Sequence, residues 1–402
     1  MKNAFTPAQI LLPANGDFER WAVIACDQFS SEKDYWDRVG ERVGKNPSTL
    51  HMIVPEAYLE GISMEEASKS RNDTMARYLN EDVLVAIDEA FVYVEREITG
   101  GGIRRGIVGK IDLEAYDYLP GTETPARASE KTVVDRLPPR IQVRRGAALE
   151  MPHVLVLIDD EKRRVVESLT EEKESLEKIY DFDLMEEGGH IAGYAVKGTR
   201  AQKLVKEIDA LAERNVQFVI GDGNHSLAAA KDTWRQLKKD LTPEEQENHP
   251  ARFALVEVCN VYDEGIVFEP IHRIVFRCDP HHVLSLLQEK AYDPNGRELK
   301  YLAGGKEGVV RVRNESLGAL IASVQRVLDE LESEGCVVDY IHDDKALEKL
   351  AETENSFALF LPKMKKQDLF CTVESSGIFP KKSFSIGHAR DKRYYLECRK
   401  IK

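Results

Sequence analysis

Residues 216–231 read VQFVIGDGNHSLAAAK: a short, mostly apolar run that stops at Gly221, a polar turn, and an alanine-rich stretch. The period switches there from that of a strand to that of a helix. A strand delivered straight into a helix belongs to layered α/β architecture. Upstream, TRAQKLVKEIDALAER (199–214) sets Leu204, Ile208 and Leu211 on one helical face. The predicted unit is therefore helix, strand (216–220), turn, helix (226–239), and the predicted fold class is mixed α/β (α+β).

The turn carries the chemistry. The first amides of a helix lack intrahelical acceptors, and together with the helix dipole they favour an anion. Gly221 and Gly223 allow the backbone an approach that a Cβ would block. Asp222-Gly223-Asn224 is also ordinary turn composition, and Ser226 is placed to cap the helix or to donate to a phosphate oxygen. Asp222 can accept a proton, and His225 can act as acid, base or donor near neutrality. Neither glycine signature for nucleotides, GxGxxG or GxxxxGK[ST], occurs here.

The rest of the 402 residues limits the partners. Of these residues, 56 are basic and 70 acidic, giving a net charge of −14 that repels nucleic acid and anionic lipid at long range. No apolar stretch approaches the ~20 residues of a membrane span, and the first twenty residues hold no signal-peptide core, so a cytoplasmic protein is expected. The six cysteines are scattered without a CxxC pair, and the one close histidine pair, His281-His282, has no cysteine beside it. No zinc, haem or flavin motif is present, and no metal-ligand set is predicted.

Three segments are expected: 1–165, 166–280 carrying the turn, and 281–402, with the possibility that they pack as one unit. In the first, WAVIAC (21–26) reads as a strand, 30–44 and 64–84 as helices, and 91–98 with 103–113 as a hairpin around Thr99-Gly100-Gly101-Gly102. HVLVLIDD (153–160) reads as another strand. A helix is predicted over 170–181, and a second hairpin joins 253–262 to 266–276 through Asp263-Glu264-Gly265. The last segment reads as helix (316–333), strand (336–341), helix (344–353) and strand (357–362), with YYLEC alternating like a strand in a basic tail.

Other residues bear on a site. Asp27 and Gln28 follow the first buried run and could act as base or substrate contact. Glu150 and His153 precede the 153–160 strand as substrate-contact candidates. His272 and Arg273 sit among apolar neighbours, where an arginine is either a salt-bridged strand residue or a phosphate clamp. Lys382 and Ser383 form a basic-hydroxyl pair able to meet phosphate. The loop 118–139, with Arg127, Glu130, Lys131 and Arg136, is either a solvated connection or a lid.

The DGNHS turn resembles the DGHHR-type turn of the family catalogued as domain of unknown function 1015. WAVIACDQF, ARASEKTVVDRLPPR, EMPHVLVLIDD, EPIHRIV and FPKKSFSIG, in that order, look like further landmarks of it, so the resemblance covers nearly the whole chain. That family is similar to the ParB/sulfiredoxin-like group and to archaeal free-serine kinases that use ADP. The resemblance implies a ParB/sulfiredoxin-like core, an adenine nucleotide with Mg²⁺ bridging its oxygens, and a phosphorylated small-molecule partner such as serine or phosphoserine. It implies Asp222 and His225 at the phosphotransfer centre. Where the related turn often ends in arginine this chain has Ser226, leaving the charge to backbone amides or to Arg273 or Lys382. The expected function is phosphoryl transfer to or from a small hydroxyl metabolite. A non-catalytic nucleotide- or metabolite-binding regulator is the alternative, and a ParB-like nucleic-acid partner the second, disfavoured by the charge.

Overall fold

The structure, a computed structural model, describes residues 3–14, 16–151, 154–211 and 215–402. The chain divides into two compact units that do not follow the three segments expected from sequence. One comprises 1–128, 132–266 and 387–402; the other comprises 129–131 and 267–386. The family of helices and strands is mixed α/β, as the alternation of periods requires.

The first unit is built on an 11-stranded sheet. Along its main path run Tyr116–Asp117, Ala126–Ala128, Phe218–Asp222, Leu155–Ile158, Phe253–Asn260, Ile103–Asp112, Leu84–Glu97, His190–Val196 and Glu177–Asp183. Phe5–Thr6 pairs with the Ile103–Asp112 strand, and Ala8–Pro13 with Leu84–Glu97. The predicted hairpin across Thr99-Gly100-Gly101-Gly102 is present, with Val92 opposite Val108 and Glu97 opposite Ile103. All three tryptophans, Trp21, Trp36 and Trp234, are fully buried, so they pack rather than offer a stacking surface.

The second unit holds a five-stranded sheet in the order Lys306–Val312, Tyr292–Ala303, Ser356–Leu359, His272–Phe276, Val337–Ile341. Every pairing in it is antiparallel. The Leu317–Ser333 helix supplies Leu320, Ile321, Val324, Val327, Leu328 and Leu331 to its core at helical spacing.

Four expectations give way. WAVIAC forms no strand: Phe18–Trp21 is a short helix, and Ile24 makes only an isolated bridge to Arg393. The helix over 170–181 stops early: Val166–Glu172 is helical, and Glu177–Asp183 is a strand against His190–Val196. The β-branched and aromatic run IYDF decides that end of the segment over the charged residues before it. Phe253–Asn260 and His272–Phe276 are strands that do not pair with each other, since they belong to different units. Their Asp263 turn closes locally, through Asp263 N–H to the Asn260 carbonyl, without returning the chain as a hairpin. The YYLEC stretch alternates but finds no ladder, leaving an isolated bridge from Cys398 to Leu11. The six cysteines form no disulfide, and no helix among the described residues is long and apolar enough to cross a membrane.

Candidate functional site

The Phe218–Asp222 strand runs parallel to Ala126–Ala128 and antiparallel to Leu155–Ile158, with its register shifting between Ile220 and Asp222. Gly223 then takes φ 78°, and the helix begins at Asn224, running to Leu237. That conformation costs a side chain about 1–2 kcal/mol. A Cβ there would also stand 3.0 Å from the Val154 Cα, so the glycine is required twice over. The left-handed residue starts the helix two positions ahead of the expected start. Gly223 is therefore the cap, no side chain caps the helix, and Ser226 lies inside the first turn. The capping role expected of Ser226 falls away. Residues 222 to 226 are all half-buried.

Asp222 has two contacts. Its Oδ1 accepts from the Gly223 N–H at 2.8 Å, and its Oδ2 lies 3.2 Å from Lys392 Nζ. The two side chains are 26% and 20% exposed, sheltered enough for the charge pair to matter and exposed enough to exchange partners. Lys392 arrives there because its neighbours are fixed. Asp391 accepts from the Thr99 N–H and hydroxyl at 2.9 Å each, and Arg393 donates to the Met185 carbonyl at 2.7 Å. Both are buried while Lys392 is not. The Ala25 N–H donates to the Lys392 carbonyl at 2.8 Å and the Tyr394 N–H to the Val23 carbonyl at 3.0 Å. The segment 392–394 thus lies along residues 23–25, directly before Cys26 and Asp27.

His225 is held in one tautomer. The Val133 N–H donates to its Nε2 at 3.2 Å. A ring nitrogen that accepts carries no proton, so the proton sits on Nδ1 while this bond lasts. Gln28 Nε2 donates to Asp27 Oδ1 at 2.9 Å, which orients that carboxylate from its own chain.

Beside the first helical turn lies a cavity of about 200 Å³. Ser226, Leu227 and Val154 form the wall nearest the turn, and Cys26 lies on the wall as well. The Cys26 thiol is pushed up to about 12 by burial and by Asp27, and it accepts from the Tyr394 hydroxyl at 3.2 Å, so it is a packing group and not a nucleophile. Arg140 pairs with Glu56 at 2.6 Å on the same wall.

Of the remaining candidates, Glu150 lines the same cavity, and His272, Arg273, Lys382 and Ser383 belong to the second unit. Glu150 is buried between Arg399 and Arg144, each at 2.7 Å, and accepts from the Leu255 N–H. Burial alone would raise its carboxyl, but the two arginines outweigh it and hold it low. The carboxylate is thus held between two arginines and a backbone amide. His153 lies outside the described residues. His272 and Arg273 belong to the second unit. Arg273 is wholly buried, donates to the Ile271 and Lys382 carbonyls and stacks on Tyr340 at 4.6 Å, so its fork is spent on the protein. His272 Nδ1 accepts from the Leu361 N–H and its Nε2 lies 2.6 Å from Asp344. The Lys382 N–H donates to Glu130 at 2.7 Å, and the Ser383 hydroxyl to the Pro380 carbonyl. Lys131 donates its N–H to the Phe379 carbonyl and Glu130 bridges Phe379, so this part of the 118–139 loop belongs to the second unit. Lys392 escaped the sequence reading, although the basic tail around it was the signal.

The family described as "Protein of unknown function (DUF1015)" matches residues 7–383. Among solved structures, the chain is similar to a free serine kinase in complex with AMP, at 13% identity and a TM-score of 0.40, over 70% of this chain and 92% of that one. It is similar to a conserved hypothetical protein from Pyrococcus furiosus, at 14% and 0.37, over 69% and 89%. It is also similar to SbnI with a C-terminal truncation from Staphylococcus aureus, at 9% and 0.37, over 70% and 82%. At such identities and scores these likenesses bear on neither substrate nor residue roles. No curated protein matches the sequence.

Proposed function

This chain belongs to the DUF1015 family, and from its turn we propose that it transfers a phosphoryl group to or from a small hydroxyl metabolite. One observation carries the reading: a carboxylate–ammonium pair, Asp222 with Lys392, at the glycine-capped start of the Asn224–Leu237 helix. An arriving phosphate finds a lysine to balance its charge and helix amides oriented towards anions. As Lys392 turns to the phosphate, the Asp222 carboxylate is released to take the hydroxyl proton. The hydroxyl oxygen then bonds to phosphorus, and the bond from phosphorus to the leaving nucleotide oxygen breaks. His225, in the same turn, is the second group proposed to meet the transferring phosphoryl group. Asp27 is the second candidate base.

Lys392 supplies the charge that the missing arginine at position 226 would otherwise bring, in place of Arg273 or Lys382. No three His, Cys, Asp or Glu side chains among the described residues converge as a metal cage. Mg²⁺ therefore enters this proposal as a companion of the nucleotide's own oxygens, as is usual for that ion. Free serine with an adenine nucleotide is the first pair to assay. A binding protein without turnover is the second reading, favoured by Ser226 standing where related turns have arginine.

Phosphorus NMR of the full chain with ADP or ATP and serine, and with the reverse pair containing phosphoserine, tests turnover directly. Asp222→Asn is expected to lower the rate at least 100-fold with an unchanged circular dichroism spectrum. Wild-type turnover surviving in that variant would remove Asp222 from the centre. Binding of nucleotide without any new phosphorus signal would select the second reading.

A further inference from the structure

The cavity beside the turn speaks to what the acceptor is. At about 200 Å³ it exceeds the ~150 Å³ of an engineered apolar cavity that holds benzene. Its wall is aliphatic: Met52, Ile53, Met64, Met75, Val143 and Met151 dominate it. Four methionines at one cavity make an adaptable surface suited to varied apolar shapes.

The charged groups on that wall are already engaged. Arg140 holds Glu56, and Arg144 with Arg399 holds Glu150. Cys26 accepts from Tyr394. A zwitterion the size of serine needs a partner for its ammonium and another for its carboxylate, and seating it would break one of these pairs. An uncharged aliphatic or aromatic body breaks none and removes the apolar wall from water. Ser226 and Val154 connect the two features. Ser226 lines the cavity from within the first turn of the helix, and Val154 lines it while touching Gly223 of the turn.

We infer that the molecule handled at this turn is amphipathic. It has a hydroxyl or phosphate at the Asn224–Leu237 helix start and an apolar body, from benzene size to a six-carbon chain, in the cavity. This rests on the reading of the turn as a phosphate site, and the experiment separates the two.

Isothermal titration of the full-length protein is run with inorganic phosphate, phosphoserine, hexyl phosphate and 1-hexanol. Hexyl phosphate is expected to bind at least tenfold more tightly than inorganic phosphate or phosphoserine. Val143 is half-buried on the Leu137–Gly146 helix, and Val143→Phe fills the cavity from there. In that variant the affinity ratio of hexyl phosphate to inorganic phosphate is expected to fall within twofold of unity. Val143→Leu, which adds less volume, is expected to reduce the ratio partway and serves if the larger variant is unstable. Hexyl phosphate binding no better than phosphate, or a ratio unmoved by both variants, overturns the inference while leaving the turn reading intact. Binding of 1-hexanol without any phosphate-bearing ligand overturns the turn reading and the inference with it, as does no binding at all.

Discussion

Lys392 meets Asp222 across 170 positions of sequence, and its precision comes from its neighbours rather than from itself. Asp391 and Arg393 are sealed into the first unit on either side, so the lysine stem starts from a fixed backbone. A flexible side chain loses less entropy when its root is already immobile. Lys392→Met is therefore expected to cost about 10²–10³ in kcat/KM with a comparable loss of phosphate affinity. Lys392→Arg should restore part of both, and the readout is the steady-state rate against phosphate-site occupancy. An equal rate in the Met variant would place the compensating charge elsewhere.

At the scale of elements, the tail carries a second consequence. Glu397 is fully buried, and its carboxyl is pushed up from 4.5 to about 7, first by burial. The Tyr180 hydroxyl donates to it at 2.6 Å and pulls the other way, while Glu257 adds to the rise. Between pH 4.5 and about 7 the folded tail keeps a proton that the unfolded chain has released. Stability is then full below that window, falls as pH rises through it and levels off above. The carboxyl accounts for about 3 kcal/mol of that fall. Glu397→Gln is expected to flatten the slope between pH 5 and 8 in urea denaturation; a parallel slope in both proteins would refute the assignment. The tail's role was hard to read beforehand for the same reason: YYLEC alternates as a strand does, yet its partners are single bridges and buried side chains. The strand–turn–helix at 218–237 was legible because a period change and two glycines are local signals. The Phe253–Asn260 and His272–Phe276 strands were legible as strands but not as non-partners, since which edge a strand joins is decided by distant chain. Likewise Arg273 read as a salt-bridged strand residue or a phosphate clamp, and the fold instead buries it against the Ile271 and Lys382 carbonyls, partners that sequence does not announce.

For the molecule as a whole, two units with separate cores are expected to unfold in separable steps. All the residues assembled around the turn and its cavity lie in the first unit. A phosphate ligand at 100 times its dissociation constant stabilises the state it binds by about 2.7 kcal/mol. In differential scanning calorimetry, hexyl phosphate should move one transition upward and leave the other in place; a shift of both would show that the units melt together.

The return of residues 387–402 to the first unit also sets an order in time. Asp222 and its helix leave the ribosome early, but Lys392 follows only after every residue of 267–386 has been translated. The nascent chain therefore carries a carboxylate with no counter-charge through the synthesis of an entire second globule. On the proposed chemistry, a chain that stops short of residue 392 carries the Asp222 carboxylate without the ammonium group that stands opposite it in the finished protein.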